Sequence, residues 1–249
     1  MKKIDKSPYG KDQDSLYYWK NNRNKIDNLY KSEKKFFIKN IKRSNSFLDV
    51  GCAAGGFFEI IKSINKKCNN YTGIDVSKNL ISIAKQKYPK QVFFHYNGKT
   101  FPFKIKKYDL TFSFGTLHHS NYYLKIINQM LKKSKKYVIF DLRFTFNKNL
   151  INQNISFQKI KFGKNFIKKN NIPYNILNFY KFINDIIKIT SKKYSIEIYG
   201  YYNKPHENVV SPYKKIIMAA IFINKLKKFD LKINLNSRKI FKIKYAQLK

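Results

Sequence analysis

A chain of 249 residues, 43% of them apolar, has room for one large α/β domain with a sizeable core. It shows no run of about 18 apolar residues, and its opening MKKIDKSPYGKDQ lacks an apolar stretch, which argues against a membrane span and a secretory signal; two cysteines exclude a disulfide framework, and a cytoplasmic place is expected. The formal net charge of +38 comes from 48 lysines against 4 arginines in a chain rich in Asn, Ile, Phe and Tyr; it is spread along the sequence, so genome composition explains most of it, while contact with a nucleic acid or an anionic membrane surface stays open.

Residues 1–45 carry SLYYWKNNRNKIDNLYKSEKKFFIKNI, which predicts two helices, the second N-capped by Ser32 and leading into the first strand. They form an N-terminal helical cap over the open side of the ligand, with Tyr17, Tyr18, Trp19 and Tyr30 as candidates for enclosing it, although helix aromatics more often join the core.

Residues 47–58 read FLDVGCAAGGFF. Leu48 and Val50 flank Asp49 as in a buried parallel strand, Gly51, Ala53, Ala54, Gly55 and Gly56 keep bulk away from the reversal, and FFEII continues as a helix whose first N–H groups face an anionic ligand. Cys52 within this turn reads as a small packing residue, and Cys68 as an isolated residue at a helix end. YTGIDV then predicts a second strand ending in Asp75, and Ser77 caps a second helix, SKNLISIAKQKY. An acid at the end of the second strand, about 20 residues beyond the glycines, is placed to bind a ribose diol. VFFHYN, YDLTFS and YVIFDL predict strands three to five, YSIEIYGYY and KKIIMAAIFINK strands six and seven, and IPYNILNFYKFINDIIKIT a helix.

The dinucleotide fingerprint is incomplete, because Ala53 stands at its middle glycine. The pattern Asp-x-Gly-x-Ala-x-Gly from Asp49 to Gly55 instead resembles the first motif of class I S-adenosylmethionine-dependent methyltransferases, which usually have Gly at the position of Ala53. Phe101-Pro102-Phe103, Tyr108-Asp109-Leu110 and Phe114-Gly115-Thr116-Leu117-His118-His119 match later motifs in order, so the likeness covers about residues 46–142. It implies a three-layer Rossmann-like α/β fold with seven mostly parallel strands, the last antiparallel. It implies S-adenosylmethionine as cofactor, bound around Asp49, Gly51, Cys52, Ala53, Gly55, Asp75, Val76, Asn97, Gly98, Phe114 and Leu117, with Asn97 accepting from the adenine amino group.

On this reading the methyltransferase domain spans 46–225, residues 143–171 form an insertion on the acceptor side, and 226–249 are a basic extension serving as an edge strand or a surface tail. Transfer from a sulfonium rests largely on placement, but a hydroxyl acceptor also needs a base. His118 and His119 are the candidates, with Asp141 as an orienting acid; His206 is a further candidate for reaching the pocket and His95 reads as structural. The segment after strand four lacks the Asn/Asp-Pro-Pro-aromatic signature of base-amino methylation, no Pro-Cys nucleophile occurs, and residues 113–120 offer no metal-binding carboxylates, so no metal is expected. Relatives that modify surface sugars look similar at Tyr18-Trp19 and Tyr30-Lys31-Ser32-Glu33. The expected reaction is methyl transfer to a hydroxyl of a small molecule or a surface-glycan sugar; the alternatives are a ribosomal or transfer RNA methyltransferase, a nicotinamide-dependent oxidoreductase, and a nucleoside-binding protein without catalysis.

Overall fold

A computed structural model describes residues 23–102, 104–162 and 165–235. Its elements in chain order are α1 (Lys31–Ile41), β1 (Ser46–Val50), α2 (Gly56–Ile64), β2 (Asn70–Asp75), α3 (Lys78–Lys87), β3 (Val92–His95), β4 (Tyr108–Ser113), α4 (Tyr123–Lys133) and β5 (Ser134–Thr145). There follow β6 (Phe157–Phe162), β7 (Asn165–Pro173), β8 (Leu177–Asn178), α5 (Phe179–Thr190), β9 (Ser195–Asn203), β10 (Val209–Val210), β11 (Ile216–Asn224) and β12 (Asp230–Leu235).

The main sheet runs β12-β9-β11-β5-β4-β1-β2-β3, with β8 pairing beside β5. Its strands are parallel except β11, which is antiparallel to both β5 and β9. The predicted sixth and seventh strands are β9 and β11, and the reversed strand is where it was expected. The sheet has nine strands and not seven, because β8 and β12 extend it. Within β12, Leu235 is buried while Asp230, Lys232 and Asn234 are exposed, so this part of the basic extension is a one-sided edge strand.

Side chains alternate across the sheet and supply two cores. Phe47, Leu110, Phe112 and Ile139 pack with Phe36, Phe37 and Ile41 of α1, Phe57, Ile60 and Ile61 of α2, and Ile81 and Ala84 of α3. On the other face Leu48, Val50, Ile74, Val138 and Phe140 meet Ile126, Ile127 and Met130 of α4 and Phe182, Ile183 and Ile186 of α5. Strand order reverses between β1 and β4, and the crevice outside their carboxyl ends is where open α/β sheets hold ligands.

Four expectations change. Helix α1 starts after Tyr30, whose N–H donates to Glu33 Oε2 at 2.8 Å, and Ser32 lies buried within the first turn; the acid three residues on, and not the serine, closes the helix end. Helix α1 packs on β5, β9 and β11 as a layer of the sandwich, so within the described part of residues 1–45 it is the segment before α1, at Arg23, and not the helix itself, that reaches the loops after β1 and β4. The helix predicted from Ile172 begins only at Phe179, where the Asn178 side chain accepts from Lys181 N at 2.8 Å. Strand five continues past Leu142 to Thr145, and the insertion after it is a hairpin, β6 and β7, joined by β10 in a second sheet. Tyr17, Tyr18, Trp19, Phe103 and the extension after Leu235 lie outside the described residues.

Candidate functional site

The turn after β1 uses left-handed backbone at Gly51, Ala53 and Gly55, with φ of 83°, 48° and 84°. Gly51 N–H and Cys52 N–H both donate to Ile74 O, at 2.8 and 3.1 Å, which ties the turn to the end of β2. A Cβ on Gly51 would lie 2.2 Å from Thr116 Oγ1, so this turn and the loop after β4 touch. Ala53 holds a conformation that costs an L-residue roughly 1–2 kcal/mol, at the position where the resemblance leads one to expect glycine. Cys52 points inward, where its Sγ would meet a Cβ on Gly73 at 2.6 Å; its burial raises the thiol pKa and makes it packing.

Asp75 Oδ2 accepts from Ala53 N at 2.9 Å and Oδ1 from Ser77 N at 2.8 Å, so the acid at the end of β2 is aimed by main chain on both sides. Asp49 is buried: Oδ2 accepts from Tyr71 OH at 2.6 Å, while Oδ1 has no partner. Burial drives its pKa up to about 7, the Tyr71 hydrogen bond opposes this, nearby Asp75 adds to it and Arg23 works against it.

Asn97 follows β3 on the surface, and its Oδ1 accepts from Lys99 N at 2.9 Å and Thr100 N at 2.8 Å. Both lone pairs of that oxygen hold its own loop in an Asx turn, which departs from the adenine contact expected of it. Gly98, at φ 76°, packs against the half-buried Val76. Phe114 stacks into the core against Phe37 and Phe57, and Leu117 is fully buried, so both support the loop from behind.

The loop after β4 is held from β5. Gly115 N–H donates to Asp141 Oδ1 at 2.6 Å, and Arg143 Nη1 donates to Asp141 Oδ2 at 2.6 Å. The carboxylate of Asp141 is thus engaged by a turn and a guanidinium, not by a histidine. Arg143 Nε donates to Tyr174 OH at 3.2 Å; burial disfavours the arginine's charge, and Asp141 and Tyr174 more than offset that. The rings of His118 and His119 lie against each other at a tilt of 45°, centroids 3.9 Å apart, and Tyr174 meets both edge-on. His119 Nδ1 lies 2.7 Å from Pro173 O; a carbonyl only accepts, so Nδ1 carries the hydrogen and Nε2 is the basic nitrogen. Burial lowers His119 to about 4, with the Pro173 bond opposing, and burial together with His119, Arg143 and Arg23 takes His118 well below its ordinary value. The segment that follows β7 docks on this loop, because Asn175 N–H donates to His118 O at 2.7 Å. His95 and His206 are exposed, the latter paired with Asn208 Oδ1 at 2.8 Å.

Sequence patterns did not single out Arg23, Arg143 or Tyr174, and named Glu33 only within the Tyr30-Lys31-Ser32-Glu33 likeness. Arg23 pairs with Glu33, and its guanidinium lies over the rings of Phe57 and Tyr30, at 5.1 and 5.3 Å, against Gly115. The available signal was rarity: among so many lysines, two of the four arginines are built into this one cluster.

The family described as "Methyltransferase domain" matches residues 48–139, which hold the glycine turn, Asp75 and the loop after β4. These residues form a class I S-adenosylmethionine-dependent methyltransferase domain. The chain is 33% identical over 149 residues to an uncharacterised protein of Methanocaldococcus jannaschii, covering 54% of this chain and 55% of that one, so it spans about half the length of that relative. It is 26% identical to a malonyl-[acyl-carrier protein] O-methyltransferase of Buchnera aphidicola, over 68% of this chain and 72% of the relative. Among solved structures it is similar in fold to the N-terminal domain of EvdMO1 with S-adenosylhomocysteine and D-fucose, with TM-score 0.52, 9% identity and coverage of 76% and 80% of the two chains. A putative S-adenosylmethionine-dependent methyltransferase of Listeria monocytogenes has TM-score 0.50 at 15% identity, covering 76% of this chain and 97% of that one.

The cofactor of this domain family fits the residues present. Its amino-acid end needs acceptors for an ammonium, and the domain buries Asp49 Oδ1 without a partner beside the turn. Its ribose needs a fixed acid, and Asp75 is fixed by two N–H groups. Its close approach needs a turn with little side-chain bulk, and the run from Gly51 to Gly55 carries only Ala53, Ala54 and a Cys52 whose thiol is turned inward.

Proposed function

We propose that the chain transfers the methyl group of S-adenosylmethionine to an oxygen of a small molecule or sugar. The glycine turn and Asp75 hold the cofactor, and the loop from Phe114 to His119 faces the acceptor. The cofactor supplies a methyl already activated by a positive sulfur, so the domain's task is to align the acceptor oxygen behind it and exclude water. The observation that carries an oxygen acceptor with proton removal is His119, whose tautomer is fixed by Pro173 O so that Nε2 is an uncharged base at neutral pH. The Buchnera relative, an O-methyltransferase by name, supports oxygen as the accepting atom. Calorimetry tests the cofactor: S-adenosylhomocysteine is expected to bind and NAD not to, and the reverse would end this reading.

The pH profile tests the base. His119 is uncharged well above about 4, so the transfer rate is expected to stay level from pH 5.5 to 8 as far as its ionisation goes, with no inflection near the ordinary histidine value of about 6.5. His119→Gln should lower kcat by about a hundredfold or more, the usual loss of a general base. A second reading follows from the same value. A base this weak suits an acceptor that is already anionic, and a carboxylate oxygen beside Arg143 would need no base at all; His119→Gln would then leave kcat nearly unchanged.

A further inference from the structure

Seven buried side-chain atoms lack hydrogen-bond partners among the described residues, and three of them gather between the turn after β1 and the loop after β4: Arg23 Nε, Glu33 Oε1 and Asp49 Oδ1. Each is buried, and each unpaired group costs on the order of 1–3 kcal/mol unless a ligand supplies its partner. They differ in sign. Arg23 offers a donor, and the two acids offer acceptors.

Arg23 is held in a way that aims it. Its backbone is left-handed at φ 57°, Glu33 takes one arm of the guanidinium, and Phe57 and Tyr30 lie against its plane. Its Nη1 would lie 2.9 Å from a Cβ on Gly115, so a side chain at Gly115 would strike it. Phe57 belongs to the first turn of α2 directly after the glycines, and Arg23 is close enough to Asp49 to bear on its ionisation. The guanidinium therefore lies between the two glycine-bearing loops and within electrostatic reach of Asp49, near the end of β1.

We infer that Arg23 and Asp49 together hold a zwitterion, Arg23 taking the carboxylate and Asp49 the ammonium of the cofactor's amino-acid end. This rests on the reading above and extends it to a residue outside the matched stretch 48–139. A planar guanidinium with one arm fixed by Glu33 presents its remaining N–H groups as a fork suited to a carboxylate, and the buried Asp49 oxygen suits an ammonium. Glu33 acts through Arg23 and is a positioning residue.

The test uses two ligands that share adenosine and sulfur. S-Adenosylhomocysteine has the amino-acid end, and 5′-methylthioadenosine lacks it. Arg23→Met should weaken S-adenosylhomocysteine about tenfold to a hundredfold, the size of a lost charge-assisted contact, while 5′-methylthioadenosine changes less than about twofold. Arg23→Lys, which keeps the charge but not the fork, should fall between. Should Arg23→Met fail to fold because Glu33 is stranded, the double variant Arg23→Met with Glu33→Met removes both charges, and the same ratio is read. Equal weakening of both ligands would mean that Arg23 merely pins its segment to α1, and no weakening of either would mean that it serves the acceptor; each overturns the inference and leaves the methyltransferase reading standing. Failure of the unaltered protein to bind either ligand would overturn that reading first.

Discussion

Gly51→Ala is expected to destabilise the protein by about 2–5 kcal/mol, a large share of the 5–15 kcal/mol that holds a typical domain together. Two costs add. The residue sits at φ 83°, where an L-side chain costs roughly 1–2 kcal/mol, and its methyl would fall 2.2 Å from Thr116 Oγ1 and 2.5 Å from Thr116 Cγ2, an overpacking worth roughly 1–3 kcal/mol. Thr116 cannot simply withdraw, because it directly follows Gly115, whose N–H Asp141 holds at 2.6 Å. Affinity for S-adenosylhomocysteine should fall together with stability, since the displaced turn is the cofactor's floor. Thr116→Gly in the Gly51→Ala background removes the clash and leaves the backbone strain, so it should restore the overpacking part only. Denaturant unfolding of the four proteins measures this as a coupling between the two sites. Purely additive losses would show that the two loops do not bear on each other.

What the sequence revealed was local. FLDVGCAAGGFF and YTGIDV each contain strand, acid and turn within a dozen residues, and Ser77 caps its helix as expected, accepting from Leu80 N at 3.4 Å. The strand order and the reversal of β11 came from resemblance, because β9 and β11 carry no residue that states their neighbours. The site's buried polar network was hidden for a different reason. Asp141 and Arg143 stand two apart on a strand and so share a face, which spacing alone could have shown; with Arg143 that close, Asp141 had a stronger partner than a histidine. Tyr174 reaches Arg143 only because the hairpin of β6 and β7 returns the chain beside the loop of His118, and nothing in the unpatterned run 143–171 announces a hairpin. Asn97 matched a family position, yet Asn also favours turning on its own backbone, and here the local bonds to Lys99 and Thr100 prevail.

Asp49 sets the second large effect, and its sign is opposite to that of an ordinary paired carboxylate. Burial raises it in the folded chain to about 7, against 3.8 for the free side chain. Between those values the folded protein keeps a proton that the unfolded chain has shed, so stability should be greatest below pH 4 as far as this group goes, and fall by roughly 1.4 kcal/mol for each unit as pH rises towards 7. Glu33, raised by burial against the pull of Arg23, adds in the same direction. Among the described residues Asp49 is faced by Tyr71, Asp75, Arg23 and the buried thiol of Cys52, and of these Asp75 competes with it for positive charge. Asp49→Asn keeps an oxygen for Tyr71 OH and removes the titration, so the variant should lose this part of the slope and gain on the parent above pH 7. Binding should show the converse. A ligand ammonium favours the ionised carboxylate, so affinity for S-adenosylhomocysteine should drop as pH falls below 7 in the parent and lie flat and weaker in Asp49→Asn, with proton release on binding seen as a buffer-dependent heat. Equal pH slopes in the two proteins, for unfolding and for binding alike, would mean that Asp49 stays ionised in its buried place and that the orphaned oxygen is not the ammonium's seat.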